Sequence, residues 1–280
     1  MPMGLAIFPI TARSFQAMNR RKFVATSLAA PLIADSAFDE AILSEDERAG
    51  REYYELRMYH LRRGPKQKLF DDFFREISLP AMNRNGIGPV GVFNVMVGPD
   101  SPTMYLLIPH KSIESFATAT DRVTSDPEYQ KAGAAFINMP ANDPAYIRVE
   151  SSLMVAFSGM PKLEAPSTNK PRIFELRIYE SHSKKANKKK IEMFNTGEIA
   201  VFRRTGLKPV FFGETLIGQR LPNLTYMLVF DDMAAHDKNW AAFGADSEWK
   251  KLSSTPGYTD SEIVSNISNL FLRPAPYSQI

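Results

Sequence analysis

The chain has 280 residues, 44% of them hydrophobic and 23% charged, enough to bury one large core or two ordinary ones and too apolar for a disordered or fibrous class. It contains no cysteine, which excludes a disulfide framework, a thiolate nucleophile, an iron–sulfur cluster and a zinc ribbon. No apolar run is long enough to span a bilayer, and the formal charge of +3 has to be located along the chain before it can argue for a polyanionic partner.

That charge sits at the start. Residues 1–34 hold Arg13, Arg20, Arg21 and Lys22 and no acid, which leaves 30 basic against 31 acidic residues in the remainder. The run Asn19, Arg20, Arg21, Lys22, Phe23, Val24 precedes an apolar stretch to Ala34 and the small residues Ser36 and Ala37. Residues 1–37 therefore resemble a twin-arginine export leader, with Met18 as a natural start and 1–17 as an upstream extension. The pattern departs from the usual one at Asn19 and Ala25. Export to a bacterial periplasm is the expectation; a basic N-terminal tail on a cytoplasmic protein is the alternative. Either way the mature chain offers no charge-based reason to expect nucleic acid.

The remainder is a duplication. At an offset of 120 residues, Tyr54, Glu55, Leu56, Arg57, Met58 and Tyr59 lie over Phe174, Glu175, Leu176, Arg177, Ile178 and Tyr179, four of the six identical. The same offset, without a gap, sets Gly86 over Gly206, Pro89 and Val90 over Pro209 and Val210, and Asp126 to Lys131 over Asp246 to Lys251. The period is too long for a solenoid unit and suits a small complete domain. Domains are expected at 52–157 and 172–273, joined by a Pro-rich linker at 158–171.

In each half the first element is an alternating strand, 54–60 or 173–180, followed by a helix opened in the first half by Gly64 and Pro65. The helix carries a stripe of Leu69, Phe70, Phe73, Phe74 and Ile77, or of Ile191, Phe194, Val201 and Phe202. Strands follow at 90–97 (210–217) and 104–108 (225–230), then a helix at 112–124 (233–243), a short helical segment at 127–135 (247–253), and a last strand at 146–157 (262–272). The order βαββαβ is a ferredoxin-like α+β unit, with helices on one sheet face and the other face open to its tandem copy.

Alternation along the first strand places Tyr54, Leu56 and Met58 on one face and Glu55, Arg57 and Tyr59 on the other, as it does Glu175, Arg177 and Tyr179. We assign the apolar set to the helix side and the charged rows to the face where the two sheets meet, so that a polar-lined interior and any ligand are sought there. The rows read first as structural salt bridges that fix register; as a site they would set a carboxylate and a phenol beside an arginine. Haem is the cofactor to test, since none is evident from a motif, and it would need an axial ligand. His60 and His110, at the ends of strands, are the candidates; none of His60, His110, His182 and His236 recurs at the matching position of the other half. Gly86, Gly88 and Gly91 form a G-x-G-x-x-G that precedes a strand instead of opening a helix, so it reads as a turn. Lys184, Lys185, Lys188, Lys189 and Lys190 read as a solvated helix face.

The paired [Tyr/Phe]-Glu-Leu-Arg-x-Tyr segments, the Gly-x-x-Pro-Val before the second strand and the Asp-x-Glu-[Tyr/Trp]-x-Lys element resemble the NIPSNAP family over about 52–157 and 172–273. The resemblance implies the dimeric α+β barrel superfamily, here with both halves on one chain packed sheet to sheet. That superfamily includes monooxygenases and haem-bearing enzymes, while animal NIPSNAP proteins are associated with mitochondria and trafficking. The resemblance supplies no agreed catalytic set. The expected function is an exported binding or accessory protein of undefined biochemical activity, with a small molecule as partner, no stable membrane insertion, and a homo-oligomer left open. A monooxygenase-like or haem-using enzyme is the alternative.

Overall fold

The computed structural model describes residues 50–99, 101–167 and 170–280; the leader read at 1–37 lies outside them. Eight antiparallel strands close into a barrel in the order β1-β3-β2-β8-β5-β7-β6-β4. The first half supplies β1 (Tyr53–Leu61), β2 (Gly91–Val97), β3 (Thr103–His110) and β4 (Tyr146–Ala156); the second supplies β5 (Ile173–Glu180), β6 (Lys208–Ile217), β7 (Asn223–Phe230) and β8 (Asn266–Pro274). The halves join at two seams, β2 with β8 (Val95 opposite Leu272) and β4 with β6 (Ala156 opposite Gly213). Closure leaves no free sheet edge in the barrel.

The repeat persists in the hydrogen-bond register. Leu56 lies opposite Leu107 and Leu176 opposite Met227, each 120 positions on. The last strands depart: Leu56 faces Ser152, whereas Leu176 faces Leu270. This slip of two residues keeps every side chain on its own face, as a slip of one would not.

On the outside, α1 runs from Pro65–Phe73 through a π-helical turn, Phe74–Ser78, into Leu79–Arg84; α2 is Ile113–Thr124 and α3 Pro127–Ile137. Their counterparts are α4 (Lys184–Met193, a π turn Phe194–Glu198, then Ile199–Arg204), α5 (Met233–Ala245) and α6 (Ser247–Ser253). The π turns fall at equivalent places; in the first half the turn carries the buried stripe from Phe70, Phe73 and Phe74 on to Ser78, Leu79 and Met82 and leaves Ile77 half-buried, while Leu69, ahead of the turn, is exposed. Asp126 and Asp246 cap α3 and α6, accepting the Tyr129 and Trp249 N–H groups, and each also holds an arginine, Arg84 or Arg204, at 2.8 Å. The Asp-x-Glu-[Tyr/Trp] repeat is thus a helix start tied back to the preceding helix. The strand expected from Glu262 begins only at Asn266, because Thr259 and Glu262 form a capping box that winds Asp260–Ile263, α7, into a helical turn.

Residues 158–167 are docked at one end of the barrel. Glu52 donates its N–H to the Pro161 carbonyl, Glu164 donates its N–H to the Val210 carbonyl, and Arg203 grips the Glu164 carboxylate at 2.6 and 2.9 Å. The last residues close the same end: Gln279 Oε1 accepts from Val90 N–H at 2.8 Å, and the Ile280 side chain is buried among Phe93, Phe174 and Phe211.

Candidate functional site

Two buried layers compete for attention, the barrel lumen and the space between sheet and helices. The lumen draws on every strand and on no helix: Tyr54 and Leu56, Phe93, Tyr105 and Leu107, Met154 and Ala156, and their second-half counterparts Phe174, Leu176, Phe211, Met227, Val229, Leu270 and Leu272 form one apolar cluster. This corrects the expected faces. Tyr54, Leu56 and Met58 point into the barrel, and Glu55, Arg57 and Tyr59 lie under the helices, as do Glu175, Arg177 and Tyr179. Alternation divides the strand into two faces but does not say which is inner, and here both are buried. The helix side is where the charges find partners; the lumen, crowded by apolar side chains converging from eight strands, has few donors to give.

In the first row, Arg57 forks onto Glu55 with Nε at 2.7 Å from Oε1 and Nη2 at 2.9 Å from Oε2, and donates to the Tyr59 hydroxyl at 3.3 Å. Ser151 Oγ donates to Glu55 Oε1 at 2.7 Å, and His110 Nε2 stands 3.7 Å from Oε2. Burial would raise the Glu55 carboxyl, but His110 and the charge and hydrogen bonds of Arg57 outweigh it and hold it down at about 2. In the second row Arg177 donates to Glu175 at 2.6 Å and to the Tyr179 hydroxyl at 3.2 Å. Trp240 Nε1 and Asn269 Nδ2 also donate to Glu175, at 2.9 and 3.1 Å, and His236 Nε2 stands 3.4 Å from Oε2. The Arg177 guanidinium lies over the Trp240 ring at 4.6 Å.

A histidine therefore meets the glutamate in both halves, although no histidine repeats in sequence. His110 ends β3 and packs edge-on against Phe116 of α2; at the same offset Phe230 ends β7 and packs against His236 of α5. The histidine and phenylalanine have exchanged places across one contact. A position-by-position comparison misses this, whereas the paired swap at 110/230 and 116/236 was available as a signal.

The second half adds a buried cation. Lys190, read with its neighbours as solvated, is 1% exposed; its Nζ lies 3.2 Å from Glu198 and 3.4 Å from Asp260, with the Tyr179, Phe194 and Trp249 rings at 5.2–5.6 Å. Burial opposes its charge, but the carboxylates of Glu198 and Asp260 prevail and raise its pKa, while burial pushes the Glu198 carboxyl up. Glu198 follows Lys190 by eight residues, two turns along one helix face, which is the signal sequence reading overlooked. Lys188 and Lys189 are only half-buried, Lys188 pairing with the buried Glu214 and Lys189 with the exposed Glu192.

The lumen opens at the end away from the docked segment. Between the β2–β3 and β6–β7 hairpins lies a cavity of about 330 Å³ whose floor is Leu56, Met154, Leu176 and Leu270, with Met58, Ile178 and Tyr105 on its walls and Ser152, Thr215, Thr225, Ser268, Gln219 and Arg220 toward its mouth. His60 is buried and pairs with Glu150 at 3.0 Å, and His110 faces Glu55 under the helices, so neither candidate axial ligand lines this cavity. Among the described residues no cluster of three or more His, Asp or Glu could hold a metal ion, and no helix is long and apolar enough to cross a membrane.

The NIPSNAP family model matches residues 54–155 and 174–279, one copy for each half of the barrel. The chain belongs to the NIPSNAP family. Among solved structures, two full-length likenesses are a Fusobacterium nucleatum protein and a Lactobacillus acidophilus protein, each described as a "putative monooxygenase". The first has a TM-score of 0.52, 9% identity, and covers 80% of this chain and 92% of its own. The second has a TM-score of 0.51, 7% identity, and covers 80% and 94%. A NIPSNAP-like domain protein from Burkholderia xenovorans is 21% identical over 38% of this chain and 88% of its own, with a TM-score of 0.35. At these identities the first two likenesses establish the shared α+β barrel fold and nothing beyond it. No functionally curated protein matches the chain.

Proposed function

We propose that this NIPSNAP chain is an exported binding protein that takes a small, largely apolar ligand into the barrel lumen. The observation that carries the reading is the cavity of about 330 Å³, apolar at its floor and polar at its mouth, at the one end of the barrel that neither the docked segment nor the C-terminal residues fill. Such a site suits recognition by shape and by a few polar contacts at the entrance. The charged rows support the barrel from outside. Their carboxylates are already engaged by arginine, serine, tryptophan and asparagine, and the groups neutralise one another. The twin-arginine-like leader supports the exported location. For the monooxygenase-like or haem-using alternative, the likenesses contribute fold and no reaction.

Native mass spectrometry of the protein purified from its own host tests the binding reading. A bound small molecule, lost from a Met58→Trp variant that fills the cavity, is the expected result. A protein that carries no ligand and whose melting temperature no apolar probe raises would overturn it. A Soret band lost with His60→Ala or His110→Ala would instead favour haem. Determining the mature N-terminus in separated cell fractions tests export; an intact Met1 or Met18 in the cytosol would refute it.

A further inference from the structure

The β6–β7 hairpin over the cavity mouth is built around one residue in an unusual conformation. Arg220 has φ 58°, the single non-glycine residue in the left-handed region among those described. A bulky side chain adopts that region only when its surroundings impose it. Asn223 imposes it here. Its Nδ2 donates to the Gln219 carbonyl at 2.9 Å and the Arg220 carbonyl at 3.1 Å, while its Oδ1 accepts from Thr215 at 2.6 Å and Thr225 at 3.3 Å. Both donors and both acceptor sites of this buried amide are used, so the hairpin is fixed from below. Gly218 lets the strand pass close to its neighbour at this point, since a Cβ there would meet Ser152 Cβ at 2.9 Å.

The side chain so presented is, among the described residues, a cation without an anion. Arg57, Arg84, Arg148, Arg177, Arg203 and Arg204 each hold a carboxylate. Arg220 Nη1 donates to Ser268 Oγ at 2.9 Å, and no carboxylate among the described residues lies within ion-pair distance of it. Glu150, which Gln219 of the same hairpin contacts, is already held by Arg148 at 2.7 Å and His60 at 3.0 Å. The cavity lining also includes the aliphatic side chains of Leu56, Leu176, Ile178 and Leu270. Thr215, Thr225 and Ser268 of the second half line it where the equivalent places of the first half carry Val95, Tyr105 and, after the two-residue slip of the last strand, Glu150; Ser152 of the first half adds one more hydroxyl.

We propose that Arg220, with Ser268, receives the carboxylate of an amphipathic monocarboxylic acid whose apolar part fills the lumen. The inference rests on the lumen-binding reading and adds the headgroup. A single guanidinium beside a neutral hydroxyl matches one negative charge in fork geometry, whereas a dianion would leave a charge uncompensated near Glu150.

Isothermal titration with octanoate and octanol, on wild type, Arg220→Gln and Met58→Trp, separates the two levels. Wild type should bind octanoate roughly tenfold or more tightly than octanol, Arg220→Gln should abolish that preference while leaving octanol binding unchanged, and Met58→Trp should weaken both. Equal wild-type affinity for the two probes, or an octanoate affinity indifferent to Arg220→Gln, would overturn the carboxylate proposal and leave the lumen reading standing. If neither probe binds wild type, or if both bind Met58→Trp as well as wild type, the lumen reading fails and this proposal with it.

Discussion

Place the two Glu-x-Arg-x-Tyr rows side by side. The register to β3 or β7 and an arginine that donates to both the glutamate and the tyrosine are shared, and each glutamate meets a histidine; the two-point arginine fork belongs to Glu55 alone. Beyond the tyrosine they diverge. Tyr59 runs into an aromatic layer, with Phe70 at 4.8 Å and Tyr146 at 5.4 Å. Tyr179 instead receives a hydrogen bond from Tyr226 at 3.0 Å and adjoins the Lys190–Glu198 pair, where the first half has Phe70 and Ser78. One strand motif has been set under two kinds of helix layer, so the strand supplies the frame and the helix decides whether the space is apolar or ionic. That neither row needs the other's surroundings is what a structural role would give.

The comparison is broken most sharply at Lys190. Lys190→Met leaves Glu198 buried without its cation and should cost about 3–5 kcal/mol in denaturant unfolding. The double variant Lys190→Phe, Glu198→Ser, which installs the first half's residues, should recover most of that loss; a double variant no more stable than the single would mean the layers are not interchangeable. Acid comes next. Because the Glu55 carboxyl is held down at about 2 in the folded state against an ordinary value of 4.5, its contribution is complete above pH 4.5 and is lost as pH falls towards 2. That amounts to about 3 kcal/mol, and Glu55→Gln should flatten this part of the stability–pH curve. Smaller is the difference between arginines. Arg177→Ala should destabilise by about 1 kcal/mol more than Arg57→Ala, since only Arg177 also covers a tryptophan ring. Least of all, exchanging His110 and Phe116 for Phe and His should shift stability by less than about 1 kcal/mol, because it copies the arrangement already present at Phe230 and His236.

Much of the architecture is legible before any coordinates. A gap-free offset and strand alternation lead to two βαββαβ units and to the barrel they form. The faces of β1 are not legible that way: a strand covered on both sides carries no hydropathy contrast to mark the lumen, and Glu55 is as buried as Leu56. Lys190 is hidden among four other lysines, and only its spacing to Glu198 distinguishes it. The cavity is harder still, since its floor joins Leu56, Met154, Leu176 and Leu270 from four strands, and no local window contains such a set.

Both seams of the barrel lie within one covalent chain, β2 against β8 and β4 against β6. A barrel assembled from two identical chains obeys a twofold axis, and whatever it places on one wall it must place on the other: two arginines at the mouth, or none. Tandem linkage removes that obligation. Thr225 can face Tyr105 and Thr215 can stand where its twin is Val95, so the lumen can have a front and a back, and a ligand can enter it in one orientation only.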